Sequence, residues 1–329
     1  MKKEQAPLAT TIATLSILMN ISFTVFLLSK PSANNIQTEQ DSPLSFAQVN
    51  SSSYPFLSKR IFTENQNDIL INFIPLREAL SGYADEQKHE VGIYFEYLPS
   101  GNSIGVNDRM EINLASLIKI PVVMGVYKEI EAGRLKKEDL ITLNEEDLDA
   151  KFGTLWQKGA GTQLTIKDAI ELALIESDNT ASQVLLRQIP IKNIDHVFDS
   201  LDVPKDTKGE YHIISPKNYS SILRSLYLAS YLSRDTSNEI LEILTRTKFN
   251  DKIAAGVPQD IKVSHKIGAF RSLENQDETY SDCGIIYVPK RPYLLCIMTR
   301  STEAEAKEYM SHIAKIVHGY IIATKRSNE

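Results

Sequence analysis

The chain has 329 residues, a formal net charge of −6 at pH 7, six histidines and two cysteines. This mild acidity, without any basic cluster, argues against a nucleic-acid partner. The histidines are scattered and show no HExxH or comparable spacing, so a metal site is not expected. Two cysteines exclude a disulfide framework, and the length suits one large domain or two small ones.

The N-terminal segment is predicted to cross a membrane. Lys2 and Lys3 precede an uncharged run, residues 8–29, that is long enough to span a bilayer as a helix. We interpret residues 1–30 as an uncleaved single-pass anchor in the cell membrane, with the lysines inside and the remaining chain outside. A cleaved signal peptide, which would release a secreted protein, is the alternative. Residues 31–60 begin with a stretch rich in Ser, Asn, Gln and Pro and are predicted to form a disordered tether.

From residue 61 to the C-terminus the chain reads as one folded domain. A helix within residues 68–87 precedes a strand at VGIYFEYL and another near residues 103–106. Helices fill the middle of the chain, where Thr165 is a predicted N-cap and Ser215 caps a helix that starts with Pro216. Strands return as IKVSHKIGAF, DCGIIYV and YLLCIMTR, and an amphipathic helix ends the chain.

The order of these elements predicts the fold class. Short turns between the late strands imply antiparallel pairing. We expect an α/β fold of the two-layer α+β type, in which the N- and C-terminal helices flank an antiparallel sheet. The sheet is built from about residues 65–115 and 255–329, and an all-helical subdomain, about residues 116–254, is inserted between them. One transmembrane helix precedes this domain.

The two cysteines lie on adjacent predicted strands. In the register we expect, Cys283 and Cys296 share a face of the sheet but stand diagonally. Diagonal positions are usually too far apart for a disulfide bond. We therefore expect free, buried thiols.

The segment NLASLIKIPVVMG, residues 113–125, places a serine and, three residues later, a lysine in an apolar run. On a helix Ser116 and Lys119 share a face, and Ser116 lies near the N-terminus, where unpaired N–H groups favour negative charge. Partial burial lowers the pKa of a lysine, and a neutral lysine beside a serine hydroxyl is a base beside a nucleophile. Alternatively the pattern is accidental, since a chain of this length and average composition holds about two copies.

Two further motifs follow in the chain. Ser177, Asp178 and Asn179 come directly after a predicted helix, although the same residues would also serve as an ordinary helix cap. Lys266-Ile267-Gly268 lies on a predicted strand, where the alternative is a solvent-facing lysine before a bulge glycine. A second Lys-x-Gly, at residues 151–153, precedes the Ser-Asp-Asn motif and lies in a predicted loop. Because the third motif should follow Ser-Asp-Asn and lie on a strand, we do not assign this copy to the site.

Taken in order, these motifs resemble those of the penicillin-recognising serine hydrolases, which include class A β-lactamases and penicillin-binding proteins. The resemblance covers about residues 65–325, and the spacing of the first two motifs is similar to that of class A enzymes. It implies a β-lactamase/transpeptidase-like fold, a covalent acyl-serine intermediate and no cofactor. The implied substrates are β-lactams or peptidoglycan stem peptides.

The resemblance also implies roles for individual residues. Ser116 would attack the substrate carbonyl, Lys119 would help to remove its proton, and Ser177 would relay a proton to the departing nitrogen. Asn179 would orient Lys119 and contact the substrate amide. Lys266 would supply positive potential for a substrate carboxylate.

In the third motif, Gly268 and Ala269 are the implied substrate-binding residues. The backbone N–H groups of Ser116 and Ala269 would form the oxyanion hole.

Two departures from the family pattern are visible. Ile267 occupies a position that usually carries Thr or Ser, so a hydroxyl that would bind the substrate carboxylate is missing. The Glu-x-x-Leu-Asn loop that positions the deacylating water in class A enzymes has no counterpart between Asn179 and Pro216. Glu210 is the nearest available carboxylate, and it is expected to be a solvated loop residue.

Three hypotheses about function follow. The first is a class A β-lactamase-like serine hydrolase that hydrolyses β-lactam amides, with slow deacylation. The second is a D-alanyl-D-alanine carboxypeptidase or transpeptidase, that is, a penicillin-binding protein. The third is an inactive extracellular binding module, which the intact motif residues disfavour.

Overall fold

The computed structural model describes residues 71–204, 213–272 and 277–326. Within this part of the chain, a five-stranded antiparallel sheet has the strand order β2-β1-β9-β8-β7, and two short two-stranded ladders pair β3 with β6 and β4 with β5. The strands are β1 (Val91–Tyr97), β2 (Asn102–Val106), β3 (Ile112–Asn113), β4 (Leu140–Thr142), β5 (Gln163–Thr165), β6 (Ile213–Ile214), β7 (Val263–Arg271), β8 (Glu278–Ile286) and β9 (Tyr293–Arg300).

Eight α-helices surround the sheet in the described residues. Three 3₁₀ helices matter for the site or the core: Ala115–Ile118, Leu155–Lys158 and Ile253–Gly256. The α-helices are α1 (Ile74–Glu86), α2 (Lys119–Glu131), α3 (Ile166–Ile175), α4 (Asn179–Arg187), α5 (Ile191–Ser200), α6 (Pro216–Leu228), α7 (Arg234–Leu244) and α8 (Glu303–Arg326).

The sheet separates two hydrophobic cores. On one face, alternate residues of β1, among them Ile93 and Phe95, pack with α1 and α8. On the other face, Tyr94 and the cysteine pair pack against the helices between β2 and β7. Because the central strands are covered on both faces, β1 and β9 read as nearly continuous apolar runs rather than as alternating ones. The predicted antiparallel sheet, flanked by the N- and C-terminal helices and with a helical region inserted between its strands, is therefore confirmed, but helices cover both faces of the sheet and the arrangement has three layers rather than two.

Local signals explain where several helices begin. The Thr165 side chain accepts a hydrogen bond from the Asp168 N–H at the start of α3, and Ser215 accepts one from the Asn218 N–H at the start of α6. Pro216 occupies the first turn of α6, where its missing N–H costs nothing. These capping predictions are confirmed, whereas the ladder β4–β5 and helix α5 were not predicted.

The prediction of free thiols is wrong, because Cys283 and Cys296 form a disulfide bond. The two residues are direct cross-strand partners on β8 and β9 rather than diagonal neighbours. The six-residue connection between Ile286 and Tyr293, which are themselves partners, sets this register. The disulfide also belongs to a cross-strand row in which Lys266 precedes Cys283 and Tyr94 follows Cys296.

The predicted anchor, residues 1–30, and the predicted tether, residues 31–60, lie outside the described residues. Among the helices that are described, none combines the length and the apolar character that a membrane crossing requires. The first described helix, α1, begins at Ile74, within the region where the sequence predicted it.

Candidate active site

The first motif lies where a short 3₁₀ helix passes into α2. Ser116 is in the 3₁₀ helix Ala115–Ile118, and Lys119 is the first residue of α2. The Lys119 Nζ atom is 2.9 Å from Ser116 Oγ, within hydrogen-bond distance. Ala115 has a φ of 44°, an uncommon left-handed conformation for a non-glycine residue. Such strain is typical of sites where the surrounding structure fixes the backbone for function.

The second motif forms the turn between α3 and α4. Ser177 is fully buried and also has a left-handed backbone, with a φ of 55°. This turn aims both the carbonyl oxygen and the hydroxyl of Ser177 at Lys119, whose Nζ lies 2.6 Å and 3.3 Å from them. Asn179 Oδ1 accepts a further hydrogen bond from Lys119 Nζ at 2.7 Å. Four oxygen atoms therefore surround one amine.

The third motif lies on β7, which is an edge strand of the sheet. Lys266 has no exposed surface, and its Nζ donates a hydrogen bond of 2.7 Å to Ser177 Oγ. The hydroxyl of Ser177 is thus within hydrogen-bond distance of two lysine amines. The structure brings together all five residues that the sequence singled out for catalysis: Ser116, Lys119, Ser177, Asn179 and Lys266.

Burial shapes the charge of both lysines. Desolvation lowers the pKa of Lys119 to about 8, although the nearby carboxylates of Asp178 and Asp149 act in the opposite direction. Burial, reinforced by the charge of Lys119, holds the pKa of Lys266 well below its usual value, while Asp282 raises it. Two ammonium groups beside one hydroxyl would repel each other, so the site favours a state in which at most one of the two amines is charged.

Gly268 allows the 3₁₀ helix that carries Ser116 to lie close against β7. A Cβ atom at this position would collide with Ser281 Oγ and stand 3.2 Å from Leu117 Cγ. Ala269, the next residue, is exposed at the edge of the sheet. Ile267 is buried and pairs across the ladder with Asp282, so no hydroxyl is available at that position.

The loop that precedes the second motif holds that motif in place. The sequence predicted the loop but not its contacts with Asp178. Asp178, fully buried, accepts hydrogen bonds from three backbone N–H groups, those of Thr154, Leu155 and Ala181. Gly153 has a φ of 90°, and a Cβ there would collide with the Asp178 carboxylate. The Lys-x-Gly copy at residues 151–153 therefore packs against the Ser-Asp-Asn turn and is not a second copy of the third motif.

Glu210, the nearest candidate for a deacylating base in the sequence, lies outside the described residues. Two groups near the site were not predicted at all: Asp149, whose charge reaches Lys119, and the buried pair of His265 and Asp282. A signal for the pair was present, because Asp282 directly precedes the run CGIIYV on the predicted strand. A fully buried carboxylate requires a partner and is therefore worth examining for function.

Comparison with known proteins decides the family. Residues 75–321 match the model of the β-lactamase enzyme family. The chain belongs to this family. The β-lactamase-family chain is 20% identical to a β-lactamase of Phocaeicola vulgatus over 275 residues, covering 76% of this chain and 85% of the relative. It is 23% identical to β-lactamase VEB-1 of Pseudomonas aeruginosa over 244 residues, covering 67% and 82%.

Solved structures show the same fold. PBP-A superposes with a TM-score of 0.68 at 22% identity, covering 77% of this chain and 97% of PBP-A. The extended-spectrum β-lactamase TLA-1 gives 0.69 at 16% identity, covering 75% and 98%. The resemblance inferred from the motifs is confirmed: this β-lactamase-family chain is a β-lactamase-like serine hydrolase with the β-lactamase/transpeptidase fold.

Proposed function

We propose that Ser116 is acylated by β-lactams and related amides and that the acyl group is then released slowly. One observation carries this proposal: Lys119 Nζ lies 2.9 Å from Ser116 Oγ in a buried setting. Burial lowers the pKa of Lys119 to about 8. The amine is then uncharged in roughly a tenth of the molecules at pH 7 and can act as a general base.

The geometry supports a balanced acylation step. Ser116 Oγ attacks the amide carbonyl carbon as its proton passes to Lys119 Nζ, giving a tetrahedral intermediate. The C–N bond then breaks, and the departing nitrogen takes a proton from the hydroxyl of Ser177. Lys119 Nζ, which holds the proton taken from Ser116, returns it to the Ser177 oxygen, to which Lys266 Nζ also donates. The products are an ester on Ser116 and a free amine, which in a β-lactam remains attached to the opened ring.

The negative charge on the intermediate requires hydrogen-bond donors. We assign this role to the backbone N–H groups of Ser116 and Ala269. Ser116 lies in the first turn of a 3₁₀ helix, where N–H groups lack partners within the helix, and Ala269 lies on an edge strand. Loss of one such donor typically lowers the rate by about 10²–10³.

Slow deacylation is proposed because the usual activator of the hydrolytic water is missing. No Glu-x-x-Leu-Asn pattern occurs between Asn179 and Pro216. A missing general base slows a step by about 10²–10⁴. The acyl-enzyme would then be long-lived, which favours a second candidate, a D-alanyl-D-alanine peptidase acting on peptidoglycan stem peptides. A variant of PBP-A has been solved as an acyl-enzyme complex with penicillin G, which gives the chemistry a precedent on this fold.

The missing hydroxyl at Ile267 bears on recognition. A substrate carboxylate would lose one hydrogen bond in this site and would depend more on the field of Lys266. We therefore propose weaker recognition of carboxylate-bearing substrates than in relatives that carry Thr or Ser there.

We also propose that the catalytic domain lies outside the cytoplasmic membrane, tethered through residues 8–29 or released by cleavage. The disulfide Cys283–Cys296 supports this location, since disulfides persist mainly in oxidising compartments. Fractionation of the cells and N-terminal sequencing distinguish an anchored chain from a cleaved one.

Intact-mass measurement of the full chain with benzylpenicillin tests the function. A lasting adduct on the wild type, absent from Ser116→Ala, is the expected result. Ser311→Ala is the matched control, because the Ser311 hydroxyl donates to the Glu308 carbonyl of its own helix, α8. Rapid return to the free mass with ring-opened product would instead indicate efficient β-lactamase turnover. No adduct at any time would favour the inactive binding module.

A further inference from the structure

A second cavity lies beside helix α6, away from the candidate active site. Its volume is about 430 Å³, and Tyr94 of β1 and Arg224 of α6 are among the residues that line it. A smaller cavity of about 350 Å³ lies at the start of the same helix. Lys217 and Asn218 line both cavities, so the two form one continuous groove, which we call the α6 groove. None of the five candidate catalytic residues is among the described residues that line it.

Helix α6 has one face toward the candidate nucleophile and the other toward the groove. On the inner face, the Tyr219 hydroxyl donates a hydrogen bond of 3.0 Å to the carbonyl of Leu117, in the 3₁₀ helix that carries Ser116. Residues of the outer face recur at spacings of three and four and line the groove: Lys217, Ser221, Arg224 and Leu228. The α6 groove therefore lies on the opposite side of α6 from Ser116.

The wall of the groove contains an ion pair that is fixed in place. Glu96 and Tyr94 of β1 are each only 6% exposed. Arg224 Nε donates to the two carboxylate oxygens of Glu96 at 2.9 and 2.8 Å, and Arg224 Nη2 donates to the Tyr94 hydroxyl at 3.0 Å. A buried ion pair is a weak source of stability, because desolvation offsets its attraction. Its place beside a cavity marks that cavity as a candidate binding site.

The charged groups around the groove balance one another. Three basic and three acidic residues of the described chain line it or pair with a lining residue: Arg109, Lys217, Arg224, Glu96, Glu111 and Asp202. A strongly anionic or cationic ligand would meet as many like charges as opposite ones. The groove is therefore suited to a ligand without net charge.

The neutral polar groups of the groove can both donate and accept hydrogen bonds. They are the amide of Asn218 and the hydroxyls of Ser221, Ser225 and Ser230. In the described part of the chain, no hydrogen-bond partner contacts the side chains of Asn218 and Ser221. Leu228, which is 61% exposed, adds an apolar surface beside these groups. A matching ligand carries hydroxyl and amide groups together with small apolar groups.

A chain of uncharged sugars that bear acetamido groups has this chemistry. Its hydroxyls donate and accept, its amides complement Asn218, and its methyl groups can lie against Leu228. Helix α6 has 13 residues and is therefore about 20 Å long, which leaves room for more than one sugar unit. We propose that the α6 groove binds an uncharged, N-acetylated glycan chain. Binding there requires no acylation of Ser116.

Isothermal titration calorimetry of the full chain with chitotetraose, an uncharged tetramer of N-acetylglucosamine, tests this proposal. The wild type and Ser116→Ala should bind it equally. Because the ligand carries no charge, raising the salt concentration from about 50 to about 500 mM should change the affinity by less than about twofold. Inorganic phosphate is the probe for an anion site, and it should not bind.

Two groove variants and one control connect binding to the groove. Asn218→Ala should bind chitotetraose about fivefold more weakly, as expected for the loss of one hydrogen bond. Asn238→Ala is the matched control, because Asn238 is exposed on α7, and it should bind as the wild type does. Ser221→Phe fills the groove with a ring and should abolish binding, while its urea midpoint and its acylation by benzylpenicillin stay unchanged. If Ser221→Phe fails to fold, the comparison of Asn218→Ala with Asn238→Ala decides.

Each outcome bears on the proposal. Absence of chitotetraose binding by the wild type, or equal binding by the wild type and Ser221→Phe, would overturn it. Binding of phosphate that weakens with salt would also overturn it and assign the groove to anions. Acylation without glycan binding would leave the proposed function intact, whereas glycan binding without acylation would leave the groove assignment intact and remove the proposed function.

Discussion

At the scale of single residues, the decisive feature is one amine among four oxygen atoms. Lys119 contacts Ser116, Asn179 and both polar groups of Ser177, and only 3% of its surface is exposed. Burial disfavours its charged form, while the carbonyl and amide oxygens orient its N–H groups. The residue is therefore both fixed in place and poised to lose a proton.

We expect acylation of Ser116 to accelerate as the pH rises and to level off above about 8, the pKa to which burial lowers Lys119. The sign follows because only the deprotonated amine can accept the serine proton. Lys119→Arg should lower the acylation rate by about 10²–10⁴ above pH 8, because its guanidinium stays charged, and the difference should shrink at lower pH, where Lys119 is itself protonated. Stopped-flow acylation across pH 5.5–10 measures both effects, and a wild-type rate that falls across this range would contradict the assignment.

The sequence predicted the catalytic residues better than it predicted the buried residues around them. Ser116, Lys119 and Lys266 belong to short motifs whose spacing is fixed by one helical turn or one strand, so local geometry is sufficient. The pairing of Asp282 with His265 depends on the register between β7 and β8, which no local pattern specifies. The same limitation produced the wrong prediction for Cys283 and Cys296.

At the scale of elements, the site depends on the loop that precedes the Ser-Asp-Asn turn. The Asp178 carboxylate joins this loop to the start of α4, and the Asn179 N–H is held by the Phe152 carbonyl at 3.0 Å. The turn with Ser177 at its centre is therefore clamped from both sides. Its left-handed backbone would relax without that clamp.

Asp178→Ala should destabilise the protein by at least about 3 kcal/mol, because three backbone N–H groups lose their acceptor in a buried place. Ser233→Ala, which removes the N-cap of α7 at the surface, is the control and should cost only about 1 kcal/mol. Urea unfolding measures both. Equal losses in the two variants would show that Asp178 acts as an ordinary cap.

Sequence reasoning captured the elements with strong local signals and missed those without them. Thr165 and Ser215 are residue types that commonly cap helix N-termini, and helices α3 and α6 begin directly after them, as expected. Strand β4, with one buried residue, lacks a periodic pattern long enough to detect. Its pairing with β5 arises from contacts between segments more than twenty residues apart.

At the scale of the whole molecule, the five-stranded sheet lies between two hydrophobic cores, and one disulfide bond links two of its strands. The disulfide joins β8 to β9 in the row that runs from Lys266 to Tyr94. It therefore fixes the register of the strands on which the third motif depends.

Replacing both cysteines by serine should lower the free energy of unfolding by about 3 kcal/mol, as expected for a short closed loop. Thermal unfolding of the double variant, compared with the wild type before and after reduction, provides the measurement. Reduction should lower the midpoint of the wild type and leave that of the double variant unchanged. A midpoint that is insensitive to both changes would show that packing alone holds the two strands.

The position of β9 has a consequence for synthesis of the chain. Every candidate catalytic residue precedes Gly268, yet β1, which pairs with β2 on one side, finds its second neighbour only in β9, about two hundred residues further on. A ribosome that has just completed β7 has made the whole catalytic set without the strand that joins β1 to β8. The reactive pocket must therefore assemble late, after nearly all of the polypeptide has emerged, and premature termination would yield a fragment with the motifs but without activity.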